Sequence, residues 1–211
     1  MKLLVTRPEH DPTTRYISCW AGVIINLAKC KGFRVLDLHR GKANRKEFEG
    51  RMKKLHPELI FLNGHGNDKS IAGHDNETLV GLEDNHQVLS GKVTYALACS
   101  AGKLLGPAIV KEEAIFIGYS DKFIFMHDFK YMSKPLQDPK AKPFMEASNQ
   151  VMISLLKGHE PQEASRRSKE KFKEHYKLLS SEADSDSSQM AQFLWWNMRH
   201  QVCLGNDGKN N

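Results

Sequence analysis

Short hydrophobic segments alternate with longer segments of helical periodicity through the first 120 residues of this 211-residue chain. The short segments have the length and the β-branched or aromatic content of buried strands. A strand–helix–strand order requires right-handed crossovers, which place the strands in a mainly parallel sheet covered by helices on both faces. The predicted strands are residues 2–6, 33–38, 58–63, 92–99 and 114–120, and the helices between them are residues 13–31, 44–55 and 100–113.

The pattern changes after residue 120. Residues 123–128 are predicted to form a further short strand, and a loop that carries proline and lysine follows. Three helical stretches then occupy residues 144–157, 163–179 and 188–203. We therefore predict an α/β core over residues 1–130, a loop over 131–143, and C-terminal helices over 144–211 that pack on the same domain.

Composition excludes several classes of protein. Hydrophobic residues make up 40% and charged residues 27% of the chain, as in a typical globular protein, and no apolar run approaches the roughly 20 residues needed to cross a bilayer. The first ten residues contain too short an apolar stretch for a signal peptide. The four cysteines lie far apart, without C-x-x-C pairing. We expect a reduced, cytoplasmic protein without a membrane partner.

The net charge of +6 is unevenly distributed. Much of it lies in residues 166–177, where glutamates are interleaved with the basic residues at helical spacing. This pattern is typical of a solvated helix face rather than a surface that binds nucleic acid, so we expect no nucleic-acid partner.

Two predicted strands end in residues that can do chemistry. The third strand runs into "NGHG", which contains His65 and Gly66, and the fourth ends at Cys99. Sites in parallel sheets form at the carboxyl ends of the strands, and neighbouring strands lie about 5 Å apart, so the imidazole and the thiol are expected to converge. His65 would be the general base and Cys99 the nucleophile, while the amides of Gly66 and Cys99 would bind an oxyanion. A helix directly after Cys99 would lower the pKa of its thiol.

Each of these residues also has an ordinary interpretation. A single cysteine after a strand is often a small buried hydrophobe, and a histidine in a glycine turn is often a polar turn residue. Their joint placement favours catalysis. His65, His74 and His86 with Cys99 match no familiar zinc-ligand spacing, so we predict no metal and no cofactor, and we expect His74 and His86 to be exposed loop residues.

The two motifs resemble those of the caspase-like cysteine peptidases, which include caspases, metacaspases, legumain, gingipains, separase and CHAT domains. That family has a hydrophobic strand ending in His-Gly and a later one ending in Ala-Cys; this chain has "LIFLNGHG" and then "VTYALACSAG". The resemblance covers roughly residues 1–125, and "LACSAG" looks closest to the CHAT and bacterial caspase-like branches. It implies a caspase-like (flavodoxin-like) three-layer fold and peptide-bond hydrolysis through an acyl-enzyme on Cys99. It also implies a regulated system with one specific protein substrate, such as a pore-forming or other effector protein.

The resemblance also places the segment "GYSDKF" beside the scissile bond. Caspases have an arginine-bearing strand at that place, and this chain has no such strand. Ser120 would pair with the backbone of an extended substrate, and Asp121 would face the pocket for its leading side chain. Glu9 or Asp11, from the loop after the first strand, would add a second acid and select arginine or lysine. Alternatively, Asp121 pairs with Lys122 or Arg7 and leaves a small neutral pocket.

Two other functions remain open. The chain would be a binding scaffold if it were a catalytically silent caspase-like module, although the presence of both His65 and Cys99 argues against that. It would be a small-molecule hydrolase or amidotransferase if the same dyad acted on another substrate, but the sequence lacks a G-x-C-x-G nucleophile elbow.

Overall fold

The computed structural model, which describes residues 1–111, 113–182 and 184–205, is built around a six-stranded sheet. The strands are β1 (Lys2–Arg7), β2 (Arg34–His39), β3 (Leu59–Asn63), β4 (Ser70–Ala72), β5 (Thr78–Gly81), β6 (Val93–Leu97), β7 (Ile115–Tyr119) and β8 (Gln201–Leu204). The predicted strands correspond to β1, β2, β3, β6 and β7, which run parallel, and the spatial order is β2-β1-β3-β6-β7-β8 with β8 antiparallel to β7. A separate hairpin, β4–β5, lies beyond β3 in the chain and was not predicted.

Helices cover both faces of the sheet, as predicted. They are α1 (Pro12–Cys30), α2 (Arg45–Leu55), α3 (Leu105–Val110), α4 (Lys142–Leu156), α5 (Pro161–Ser180) and α6 (Ser185–His200). Successive residues of a strand point to opposite faces, so Phe61 packs into the core beneath α1 and α4, whereas Ile60 and Leu62 pack into the core beneath α2 and α3. Helices α5 and α6 share a third apolar cluster with α4. No helix in the described part of the chain is long and apolar enough to span a membrane.

Two predictions about the chain after β6 are wrong. The helix expected from residue 100 begins only at Leu105, because Ser100 has φ 56°, outside the right-handed helical region, and the amide of Leu105 bonds to the carbonyl oxygen of Asp68 rather than to the preceding turn. The expected strand at 123–128 is absent, because the backbone of Ile124 bonds to the side chain of Asn197 rather than to a neighbouring strand.

The last predicted helix is also shifted: it was predicted over residues 188–203, and α6 covers Ser185–His200. Helix α6 ends at His200, and the next four residues form β8 along the edge of β7. Without β8, the outer edge of β7 would present unpaired backbone groups, which explains why extended backbone is preferred there over another helical turn. The six residues after Gly205 lie outside the described part of the chain.

Candidate active site

The two predicted motifs meet at the carboxyl edge of neighbouring strands. β3 and β6 are paired, with Asn63 opposite Leu97, so His65 and Cys99 each follow their strand by two residues. Gly66 packs against the backbone of the other motif: a Cβ atom there would lie 2.8 Å from the carbonyl oxygen of Cys99 and 2.9 Å from the Cβ of Ala98. A larger residue than glycine would therefore push the histidine turn away from Cys99.

His65 is oriented by a carboxylate from another loop. Its Nε2 lies 2.5 Å from Oδ2 of Asp11, and its side chain is 40% exposed. An ionised carboxylate can only accept a hydrogen bond, so the nitrogen that faces it must carry the proton. This contact therefore places the imidazole proton on Nε2 and leaves Nδ1 as the nitrogen with a free lone pair. That is the arrangement a general base needs.

Asp11 is itself held in place by the start of α1. It is the N-cap of the helix, and its Oδ1 accepts hydrogen bonds from the backbone amide of Thr14 at 2.7 Å and from the hydroxyl of Thr14 at 3.0 Å. Burial alone would raise the pKa of the Asp11 carboxyl, but the hydrogen bonds from Thr14 and His65 outweigh it and hold the pKa below its ordinary value. One carboxylate thus both caps a helix and orients a histidine.

Cys99 lies in a different environment. Its thiol is half-buried, with Sγ 3.9 Å from the carbonyl oxygen of Phe123, and burial raises the pKa of the Cys99 thiol. The predicted lowering by a helix dipole is wrong, because α3 begins six residues later. The next residue, Ser100, has φ 56°, a strained conformation for a residue other than glycine. The chain therefore turns sharply at the thiol.

The predicted oxyanion donors are consistent with this geometry. Gly66 forms an isolated bridge with Ile71 through the flanking bonds Asn67 N–H to Ser70 and Ala72 N–H to His65, which leaves its own amide outside the ladder. Within the described residues, the amide of Cys99 likewise has no hydrogen-bond partner. The two amides belong to chain segments that pack closely, since a Cβ atom on Gly66 would lie 3.3 Å from the nitrogen of Cys99.

Helix α6 fixes the segment that follows β7. The side chain of Asn197, which is fully buried, accepts from the amide of Ile124 at 2.9 Å and donates to its carbonyl oxygen at 2.6 Å. The indole of Trp196 donates to the carbonyl oxygen of Lys122 at 2.9 Å. These two side chains support the segment that carries the Phe123 carbonyl next to Cys99. They were missed in the sequence, because no local pattern links α6 to a loop 73 residues away.

The residues predicted to bind substrate are placed as follows. The amide of Ser120 donates to the carbonyl oxygen of His200 at 2.8 Å, so that N–H group is not available to a substrate strand. Glu9 contacts His39 at 2.8 Å and Arg40 at 3.0 Å; burial raises the pKa of its carboxyl, but the hydrogen bonds with Arg40 and His39 outweigh it and lower that pKa. Its charge is already neutralised within the chain.

Asp121 differs from Glu9. Its Oδ1 accepts from the backbone amide of Lys122 at 2.7 Å, and its backbone carbonyl binds Ser100, next to Cys99. The described residues include no ion-pair partner for this carboxylate. The alternative partner Arg7 pairs instead with Asp37 at 2.6 Å.

The histidines are arranged differently from the expectation. His74 and His86 are half-buried rather than exposed, and among the described residues neither His86 nor Cys99 lies in a cluster of potential metal ligands. Instead, His10 lies between His65 and His74, with ring centroids 5.8 and 5.3 Å away. His10 was not among the predicted site residues, although it lies in "RPEHDP", the loop that contains Glu9 and Asp11.

No protein-family model and no curated protein matches this chain in sequence. The solved structures that resemble it include the crystal structure of the Arg-specific cysteine proteinase gingipain R, with a TM-score of 0.57 and 12% identity, and the complex of the pro- and mature domains of RgpB from Porphyromonas gingivalis, with a TM-score of 0.56 and 12% identity. Both matches cover 97% of this chain but 45% and 47% of those chains, so the chain spans slightly less than half their length. The predicted fold is confirmed: the described chain has the caspase-like fold of these proteinases.

Proposed function

We propose that this protein is a cysteine endopeptidase in which Cys99 is the nucleophile and His65 the general base. The observation that carries the proposal is the packing of Gly66 on the Ala98–Cys99 backbone, with His65 oriented by Asp11. A fold shared with cysteine proteinases supports it. Asp11, which the sequence suggested as a substrate-binding acid, is assigned here as the residue that positions His65.

The proposed reaction follows from this arrangement. Sγ of Cys99 attacks the carbonyl carbon of the scissile peptide while Nδ1 of His65 takes the thiol proton. The carbonyl oxygen becomes an oxyanion that accepts hydrogen bonds from the amides of Gly66 and Cys99. When the C–N bond breaks, His65 gives its proton to the departing amine and a thioester remains. His65 then takes a proton from water, whose oxygen attacks the thioester and releases Cys99.

For the substrate, we propose selection of arginine or lysine by Asp121. Its carboxylate forms no ion pair among the described residues and lies near the thiol, where burial raises the thiol pKa and the charge of Asp121 adds to that rise, against the larger lowering by Lys122. An acid beside the nucleophile favours a cationic side chain and disfavours aspartate. Gingipain R, which shares the fold, is Arg-specific. Glu9 has no part in this version of the pocket, because Arg40 and His39 neutralise it.

The wider setting is proposed on the family resemblance. We propose a cytoplasmic enzyme of the CHAT or bacterial caspase-like branch that cleaves one protein substrate, such as a pore-forming or other effector protein, in a regulated system. Genomic neighbours of the gene would identify candidates for that substrate.

A comparison of wild type with Cys99→Ala tests the function. New protein N-termini generated in a proteome by wild type but not by Cys99→Ala, together with labelling of Cys99 by a thiol-reactive peptide probe, are the expected result. Absence of both would leave the catalytically silent module, and turnover of small amides without peptide cleavage would indicate the small-molecule hydrolase.

A peptide library tests the specificity separately. We expect cleavage after arginine or lysine, and loss of that preference in Asp121→Asn, which retains the acceptor for the Lys122 amide. Asp68→Asn is the matched control, because Asp68 is a surface acid paired with Lys103 at 3.0 Å. Cleavage after aspartate or leucine would refute the basic pocket while leaving the peptidase assignment intact.

A further inference from the structure

His10, Asp11 and His65 bring three potential metal ligands together. One ligand atom from each lies within 4.8 Å of the other two, and Nε2 of His10 is 3.4 Å from Oδ2 of Asp11. Two imidazoles and one carboxylate form a donor set that suits Zn²⁺, and three protein ligands leave a fourth position for water.

His10 supplies an independent indication of a ligand. Its side chain is 11% exposed, and both ring nitrogens are buried without a hydrogen-bond partner among the described residues. Buried polar atoms are normally satisfied, so an imidazole with two unpartnered nitrogens beside a carboxylate requires an explanation. A cation bound between the imidazole and the carboxylate would account for the ring nitrogen that faces Asp11, since an imidazole gives a metal one nitrogen.

The geometry needs only a small adjustment. Ligand atoms at about 2.1 Å from a tetrahedral zinc lie about 3.4 Å from one another, which matches the present separation of His10 and Asp11. The contact between Asp11 and His65, now 2.5 Å, would have to lengthen by about 1 Å. Thr14 holds the other oxygen of Asp11, as an outer-shell partner holds a metal-binding carboxylate.

We propose that His10, Asp11 and His65 bind Zn²⁺ and that zinc bound there switches the enzyme off. Zinc takes Nε2 of His65, so the imidazole proton moves to Nδ1. The ring then has no lone pair left to accept the proton of the Cys99 thiol. The thiol stays protonated, and attack on the substrate stops although Cys99 itself is untouched. This inhibition rests on the proposed function; the metal site does not.

Zinc binding is measured first, on Cys99→Ala, by competition with a chromophoric chelator. This variant removes the thiol as a ligand. We expect one zinc per chain, at least a ten-fold weaker affinity in the double variants that add His10→Gln or Asp11→Asn, and an affinity within two-fold of Cys99→Ala when His86→Gln is added. His86 is the matched control, since it is a half-buried histidine outside the group.

Two outcomes would overturn the site. Loss of binding in Cys99→Ala would place zinc on the thiol. Loss in His74→Gln with retention in Asp11→Asn would place it on the neighbouring group of His10, His74 and Asp75. Far-UV circular dichroism and thermal unfolding of each variant show whether the chain is folded.

Nitrogen chemical shifts of the histidines make the readout independent of activity. In zinc-bound Cys99→Ala, we expect the Nε2 resonance of His65 to shift as a metal-bound nitrogen does, and an unchanged resonance would refute the proposal. In wild type, zinc should inhibit peptide cleavage at concentrations that match the measured affinity. If wild type cleaves nothing but zinc still binds through His10 and His65, the proposed function fails and the metal site stands.

Discussion

The histidine half and the cysteine half of the candidate site are held in different ways. His65 is partly exposed and bonded to Asp11, which the first turn of α1 fixes in turn. Cys99 is also half-buried, and its Sγ lies 3.9 Å from the carbonyl oxygen of Phe123, on a segment that α6 holds through Asn197. His65 is thus held through Asp11 by the first turn of an early helix, and the Cys99 side is held by hydrogen bonds from the last helix, 73 residues further along the chain.

His65 and Cys99 therefore differ in how far each is prepared for the proposed reaction. His65, the proposed base, is preorganised in the free protein, because its tautomer and orientation are already set. Cys99, the proposed nucleophile, rests as a thiol at neutral pH, because burial raises the pKa of the Cys99 thiol. The proposed reaction therefore depends on proton transfer from Cys99 to His65 rather than on a preformed thiolate.

The largest expected effect comes from removing either half. Cys99→Ala and His65→Ala should each reduce kcat/KM for a cleavable peptide by about a thousand-fold or more, since nucleophile and base act as a unit. Cys30→Ala is the control, because Cys30 is exposed and far from the site in the sequence. Full activity in either variant, with the fold verified by circular dichroism, would remove the dyad assignment.

The histidine half alone is tested by Asp11→Asn. The amide can still cap α1 but cannot hold the Nε2 proton of His65 in the same way, so we expect kcat/KM to fall by about 10- to 100-fold, less than for the dyad itself. Asp184→Asn is a matched control: Asp184 caps α6 through the amide of Ser187. An equal loss of kcat/KM in both variants would mean that Asp11 acts only as a helix cap and does not position His65.

The same variant has a pH dependence. The folded-state pKa of Asp11 lies below the ordinary value of 3.8, so its stabilising contribution is complete above that value and is lost as the pH falls through the folded pKa. The difference in free energy of unfolding between wild type and Asp11→Asn should therefore be constant near neutral pH and shrink below about pH 4. Urea unfolding at several pH values measures it, and a difference that grows in acid would contradict the assigned contacts.

The cysteine half is tested through its support. Asn197→Ala leaves the amide and carbonyl of Ile124 without partners, so we expect a loss of about 2 kcal/mol in the free energy of unfolding and a fall in kcat/KM of about ten-fold. Asn149→Ala removes another buried amide, one that donates to the carbonyl oxygen of Trp20 at 3.0 Å. The control should lose stability and keep its activity. Parallel loss of activity in both would mean that only global stability matters.

The smallest effect concerns the thiol itself. Because burial raises its pKa, alkylation of Cys99 by iodoacetamide should be several-fold slower at neutral pH in the native chain than in the urea-unfolded chain. The two rates should converge as the pH rises above the native pKa. Mass spectrometry of the Cys99 peptide follows the reaction, and faster alkylation in the native state would show a preformed thiolate.

The regular part of the molecule was predictable from local patterns. The alternation of strand and helix predicted β1, β2, β3, β6 and β7, and with them the meeting of His65 and Cys99, because parallel topology follows from order alone. The helix predicted over residues 44–55 is present as α2, and the side chain of Asn44 caps it by accepting a hydrogen bond from the amide of Glu47. These features depend on residues close together in the sequence.

The unpredicted features depend on long-range contacts. β8 consists of only four residues, and it forms because the edge of β7 offers backbone hydrogen-bond partners. The side chain of Asn197 bonds to the backbone of Ile124, so residues 123–128 do not need to pair with a strand. The role of Asp11 was mistaken because its acidity was visible in the sequence but its partner, 54 residues away, was not. His10 escaped notice for the same reason.

The pairing of β7 with β8 has a consequence for synthesis in the cell. Gln201 leaves the ribosome 82 residues after its neighbour Tyr119, an interval of about 4 to 16 s at ordinary translation rates. During that interval, the outer edge of β7 has no partner from this chain and is open to strands of other molecules. The same delay applies to Asn197 and Trp196, so the segment beside Cys99 lacks its support until α6 has been made. A nascent chain of this protein would be prone to aggregate before it could be active, which makes binding of a chaperone to β7 during translation an expected need.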